Sequence, residues 1–155
     1  MTQIFETATT RRLFIMGAMA TIIPQEALSA PHSIQVWKSA TCGCCSAWVA
    51  HLADAGFSVN AQDVSDDELQ ATKARLGVPL SLRSCHTARI GGYAIEGHVP
   101  AEDLELLLSF KPEISGLAVP GMPIGSPGME MGNEIERFDT IAFGPKGPVG
   151  VFAQH

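Results

Sequence analysis

The chain is short of positive charge and of long apolar runs, and each shortage excludes something. Lysine and arginine number 10 against 16 aspartates and glutamates, for a net charge of -6. Nucleic-acid binders carry a basic patch, so that class of partner is excluded. The acidic balance instead attracts cations weakly over distance. The apolar run Leu13 to Ile23, interrupted only by Gly17 and Thr21, is about half the ~20 residues that a bilayer-spanning helix needs. A stable membrane anchor is therefore not expected. No segment repeats at a fixed period. No Ser-His-Asp arrangement, phosphate loop or carboxylate pair announces a hydrolase. What remains is 155 residues, 46% apolar and 17% charged, a composition that suits one folded domain rather than two or a disordered chain.

The first thirty residues read as an address. Thr10-Arg11-Arg12-Leu13-Phe14 sets a twin arginine directly before the apolar run, and Pro24 ends that run. Ala27 to Ala30 offers small residues for cleavage. A basic segment, a short apolar segment and a cleavage zone make an export signal, and T-R-R-x-F resembles the twin-arginine type. Residues 1–30 are thus expected to be a signal peptide and 31–155 a single domain in the periplasm. That compartment is oxidising, so the four cysteines, all in the exported part, can form a structural disulfide or a metal site.

Along the exported part, Ser33 to Lys38 alternates apolar and polar and predicts a strand. Thr41-Cys42-Gly43-Cys44-Cys45 follows as a turn. A helix is expected over Ser46 to Ala55, with Trp48, Val49 and Leu52 on one face and Gly56 as its stop. Phe57 to Val64 alternates again. Ser65-Asp66-Asp67-Glu68 is a capping-box start for a helix carrying Leu69, Thr72 and Leu76 and ending at Gly77. Ala88 to Ile90 and Tyr93 to Ile95 form a hairpin about Gly91-Gly92. Pro100 opens a third helix, Ala101 to Phe110, which Pro112 closes. Gly116 to Gly132 is a Gly/Pro/Met-rich extension, Phe138 to Phe143 a short strand, and the last residues a loose tail. The order β-α-β-α-β-β-α is that of a thioredoxin-like α/β sandwich, and the C-X-X-C spacing from Cys42 to Cys45 agrees with it.

Four segments can carry chemistry. Cys42-Gly43-Cys44-Cys45 sits at a helix N-terminus, where the helix dipole and free N–H groups favour a thiolate. Three sulfurs within four residues suit a soft metal; the competing reading is a Cys42–Cys45 disulfide. Ser84-Cys85-His86-Thr87 enters the third strand, where Cys85 can complete a four-sulfur set. In a regular strand His86 would point to the opposite face. His98 precedes the third helix and either caps it or reaches the cysteines. His51 reads as solvated or packed. Met122 and Met129, in the extension, are soft thioether donors or flexible gap-fillers. Zinc accepts four cysteines, or three with a histidine. The thioethers and the exported context favour copper.

K-S-A-T-C-G-C-C-S-A-W-V-A-H-L from Lys38, G-V-P from Gly77, S-C-H-T-A from Ser84, E-G-H-V-P-A from Glu96 and G-L-A-V-P-G-M-P-I-G-S-P-G-M-E from Gly116 form one set of spaced blocks. The set resembles the CopG-like family of periplasmic proteins from copper-resistance systems, long catalogued as a domain of unknown function. The resemblance spans Ile34 to Phe143. It implies a thioredoxin-like fold and a cysteine-rich site for one or more copper ions. It also implies a role in copper tolerance, through sequestration or interconversion of Cu(I) and Cu(II). The family's cysteines fall on Cys42, Cys44, Cys45 and Cys85, and its histidine and methionine blocks on His86, His98, Met122 and Met129. Copper ions and other periplasmic copper-handling proteins are the implied partners. The alternatives are a thiol–disulfide oxidoreductase using Cys42 and Cys45, and a passive disulfide- or zinc-stapled module.

Overall fold

Residues 32–155 are described here from a computed structural model. The export signal assigned to residues 1–30 lies outside them. Ser33–Lys38 forms strand β1, with every second residue buried. Helix α1 follows over Gly43–Asp54, and strand β2 over Ser58–Asp63 runs parallel to β1. Helix α2 covers Asp66–Arg75. Its cap is the one that the sequence predicts: the Ser65 side chain accepts the Glu68 N–H. After a single 3-10 turn at Leu80–Leu82 come strands β3, Thr87–Ile90, and β4, Tyr93–Glu96, paired antiparallel. Helix α3 spans Ala101–Phe110 as expected. Strand β1 sits between β2 and β3, so the first four strands run in the order β2-β1-β3-β4 of a thioredoxin-like sheet.

Two expectations need correcting. The C-G-C-C segment is not a turn ahead of the helix: α1 already begins at Gly43, with Cys42 as its N-cap. No acidic residue occupies that first turn and no side chain caps it. The chain end is not a loose tail either. Strands β5, Gly116–Ala118, β6, Asp139–Gly144, and β7, Gly147–Gln154, extend the sheet beyond β4 to seven strands among the described residues. Glycine and proline lower the strand propensity of Gly147-Pro148-Val149-Gly150, but cross-strand pairing with β6 overrides it. Two register shifts in that ladder absorb the irregularity.

The sheet is covered on both faces because its strands alternate. Ile95, Leu117 and Ala142 join Trp48 and Leu52 of α1 and Leu104 and Leu107 of α3 in the main core. Their neighbours Ala94, Ala118 and Phe143 face the other way, against Leu76, Val78 and Leu82. The chain end is pinned to the main-core side by polar contacts. Asp103 of α3, almost fully buried, accepts from Thr140 Oγ1 at 2.5 Å and lies 2.9 Å from His155 Nε2. Replacing His155 with alanine strips one of those partners from a buried carboxylate. Unfolding in denaturant should show a loss of about 1–3 kcal/mol; no loss would mean that water substitutes for the imidazole.

Candidate metal centre

All the sequence-predicted cysteines converge at one end of the sheet. Cys42, Cys44, Cys45 and Cys85 each offer a sulfur, and the four lie within 4.8 Å of one another. Three come from the start of α1, Cys42 at its N-cap and Cys44 and Cys45 in its first turn. Cys42 and Cys45, one helical turn apart, are joined as a disulfide. Cys44 and Cys85 are free thiols, and Cys44 Sγ lies 3.5 Å from Cys42 Sγ. Cys45 is fully buried, whereas the other three are partly exposed.

Cys85 belongs to a second cluster as well, with His86 and His98. Its sulfur is 3.3 Å from His86 Nδ1 and 3.1 Å from His98 Nε2. The strand alternation expected to turn His86 away does not apply, because Cys85 and His86 precede the first residue of β3. His98 does not cap α3. That role falls to His51, whose Nε2 accepts the Ala101 N–H at 3.2 Å. The other His98 nitrogen, Nδ1, is 2.8 Å from the Pro127 carbonyl and donates to it. That bond fixes the tautomer and leaves Nε2 with a free lone pair toward Cys85. A histidine oriented by a backbone carbonyl through one nitrogen is a common arrangement at metal sites.

Burial sets the protonation states. It pushes the Cys85 thiol up to about 11, helped by the neighbouring Cys44. It lowers His98, and holds His86, fully buried beneath Trp48 with ring centroids 4.3 Å apart, well below the usual imidazole range. Both rings are therefore neutral at neutral pH, which is the ligating form. His86 Nε2 is buried without a hydrogen-bond partner.

The extension closes over the site through two close approaches. Gly128 adopts φ +85, and a Cβ there would sit 2.7 Å from both the Cys44 carbonyl oxygen and the Trp48 nitrogen. Gly97, at φ +71, passes the Val119 carbonyl and Ser84 at distances that no Cβ allows. Met129 thus follows a residue lying on the first turn of α1. Met122, half exposed, follows Gly121, whose carbonyl accepts from Ser84 Oγ. Gly128→Ala should cost about 1–3 kcal/mol in backbone strain and contact. It should also lift the loop, and with it Pro127, away from His98. Denaturant unfolding together with Trp fluorescence would register both; a fully stable variant with unchanged emission would refute the close packing.

Sequence reasoning missed a buried ion pair beside these ligand candidates. Lys73 Nζ donates to Glu96 Oε1, and neither residue is exposed. Burial lowers the Lys73 pKa and raises that of Glu96, each opposed by the partner's charge. The signal was present: Lys73 falls on the buried stripe Leu69, Thr72, Lys73, where a lysine has no reason to be without an acid to meet.

A family described as "Protein of unknown function, DUF411" matches residues 82–129, from the Cys85 loop through the methionine extension. No curated protein sequence matches the chain. Two solved structures, "Copper resistance protein copG- Form 1" and "Form 2", are each 45% identical to it. Each match covers 81% of this chain and 98% of the other, with a TM-score of 0.74. Identity at that level over that span, on the same α/β architecture, places this chain in the CopG family of copper-resistance proteins.

Proposed function

We propose that this protein binds Cu(I) in the periplasm as part of copper tolerance, at Cys42, Cys44, Cys45 and Cys85. His86, His98, Met122 and Met129 are the additional donors. The observation that carries this reading is the convergence of four sulfurs within 4.8 Å, one of them shared with two imidazoles. Thiolates and thioethers are soft and select Cu(I), while imidazole also suits Cu(II). A mixed donor set of this kind supports one-electron interconversion of the two states, and closely spaced sulfurs can bridge several ions. The residues fit a copper centre in chemistry as well as number. Two neutral imidazoles and the free thiol of Cys44 lie around Cys85, and a second pair of sulfurs becomes available when the disulfide is reduced. Copper ions are the partner, and other periplasmic copper-handling proteins the source or recipient.

Anaerobic titration of the reduced protein with Cu(I) against a competing chelator tests this directly. More than one tightly held copper per chain, with the thiols protected from alkylation, is the expected result. Cys85→Ser removes the sulfur common to both clusters and should weaken binding by about 100-fold or more. Equal affinity in that variant would remove Cys85 from the site. Tight zinc with weak copper would recast the centre as structural.

One observation favours a second reading. The Cys42–Cys45 disulfide occupies a helix N-terminus in a thioredoxin-like fold. A thiol–disulfide oxidoreductase would pass two electrons from the reduced pair to a substrate disulfide and finish in this oxidised form. Disulfide reduction by the metal-free protein would favour that reading.

A further inference from the structure

The buried Lys73–Glu96 pair has no part in the donor set above. Buried ion pairs are poor devices for stability alone, since the desolvation of both charges offsets their attraction. What this pair holds is specific. Glu96 Oε1, which takes the Lys73 ammonium, also accepts the backbone N–H of Ser84 at 2.6 Å. Ser84 is the residue directly before Cys85. The loop between the 3-10 turn and β3 has no helix or strand of its own to satisfy that amide, so its acceptor must come from elsewhere. The same Glu96 ends β4 opposite Thr87, and His98 follows two residues later. One carboxylate therefore ties the chain on both sides of the Cys85–His98 contact to helix α2.

We propose that Glu96 is a positioning residue for metal capture. Lys73 balances the charge of the buried carboxylate, and the Glu96 side-chain oxygen fixes the Ser84–Cys85 peptide so that Cys85 Sγ faces His98 Nε2. This rests on the copper reading above.

Two double variants separate positioning from bulk stability. Lys73→Met/Glu96→Leu replaces the pair by apolar groups of similar size and leaves Ser84 N–H without its acceptor. Lys73→Met/Glu96→Gln is equally uncharged as a pair but keeps a side-chain oxygen to accept that N–H. The full chain is purified and reduced, and two quantities are measured. One is amide exchange at Ser84 in the metal-free protein; the other is Cu(I) affinity against a competing chelator. The Leu variant should exchange Ser84 and lose Cu(I) affinity by about tenfold or more each, the size typical of outer groups at metal sites. The Gln variant should stay close to wild type in both. A Leu variant that folds and matches wild type in either quantity overturns the proposal. Should the Leu variant not fold, the Gln variant decides: a tenfold loss of copper affinity with Ser84 still protected overturns it. If the wild type takes up no Cu(I), the copper reading falls by itself. The positioning role is then read from Ser84 exchange and Cys85 alkylation, both of which must accelerate in the Leu variant.

Discussion

Reduced protein is expected to bind Cu(I) at least about 100-fold more tightly than protein with the Cys42–Cys45 disulfide intact, a difference of roughly 3 kcal/mol. The reason is the state of the sulfurs. A disulfide sulfur carries no negative charge and is a poor ligand, whereas a thiolate is a strong soft one. In the oxidised form only Cys44 and Cys85 remain as thiols, beside His86 and His98. Reduction adds two sulfurs at the start of α1, where the unpaired N–H groups of the first turn stabilise thiolates and no acidic residue competes for them. Treatment with a phosphine reductant, removal of the reductant, and titration with Cu(I) against a chelator measures the difference. Cys45→Ser should reproduce the loss under reducing conditions. Equal affinities of oxidised and reduced protein would place copper on Cys44, Cys85 and the histidines alone.

Lys73→Met by itself should cost about 3–5 kcal/mol, the usual result of removing one member of a buried ion pair. Glu96 would remain inside the protein as an uncompensated charge, or would take up a proton to avoid it. Its second oxygen, Oε2, already lacks a partner, and the Ser84 N–H that remains on Oε1 carries no net charge to replace the ammonium. Total stability of a domain is about 5–15 kcal/mol, and the melting temperature should accordingly fall by on the order of 10 °C. Thermal unfolding of the single variant beside Lys73→Met/Glu96→Leu checks this. The double variant should recover most of the loss, because apolar groups of similar size carry no desolvation cost. A loss below about 1 kcal/mol in the single variant would show that water reaches the Glu96 carboxylate.

Much of the architecture was legible in the chain. The capping box at Ser65, the glycine pair at Gly91-Gly92 and the Pro100 start of α3 act locally, through hydrogen bonds and backbone preferences that neighbours in sequence decide. Their elements lie within a residue or two of the expected ones. Strands β5 and β7 were missed for the complementary reason. Their segments are rich in glycine or proline, and what makes them strands is the partner beside them. The start of α1 differs because a run of cysteines reads as a turn, whereas Cys42 only occupies the N-cap position and the helix already begins at Gly43.

The sequence by itself determined the residue types of the site: three sulfurs in one turn, a fourth at Cys85, and two histidines and a methionine loop nearby. Soft-donor chemistry follows from those types, since ligand preference belongs to the atom and not to the fold. Only the tertiary structure decided which of them meet. It brought Cys85 to His86 and His98, gave the capping of α3 to His51, and laid Gly128 on the first turn of α1. It also placed Lys73 and Glu96 together behind Ser84. These contacts join residues distant in the chain, and their geometry is set by the packing of helices on both faces of one sheet. No local preference in the sequence encodes it.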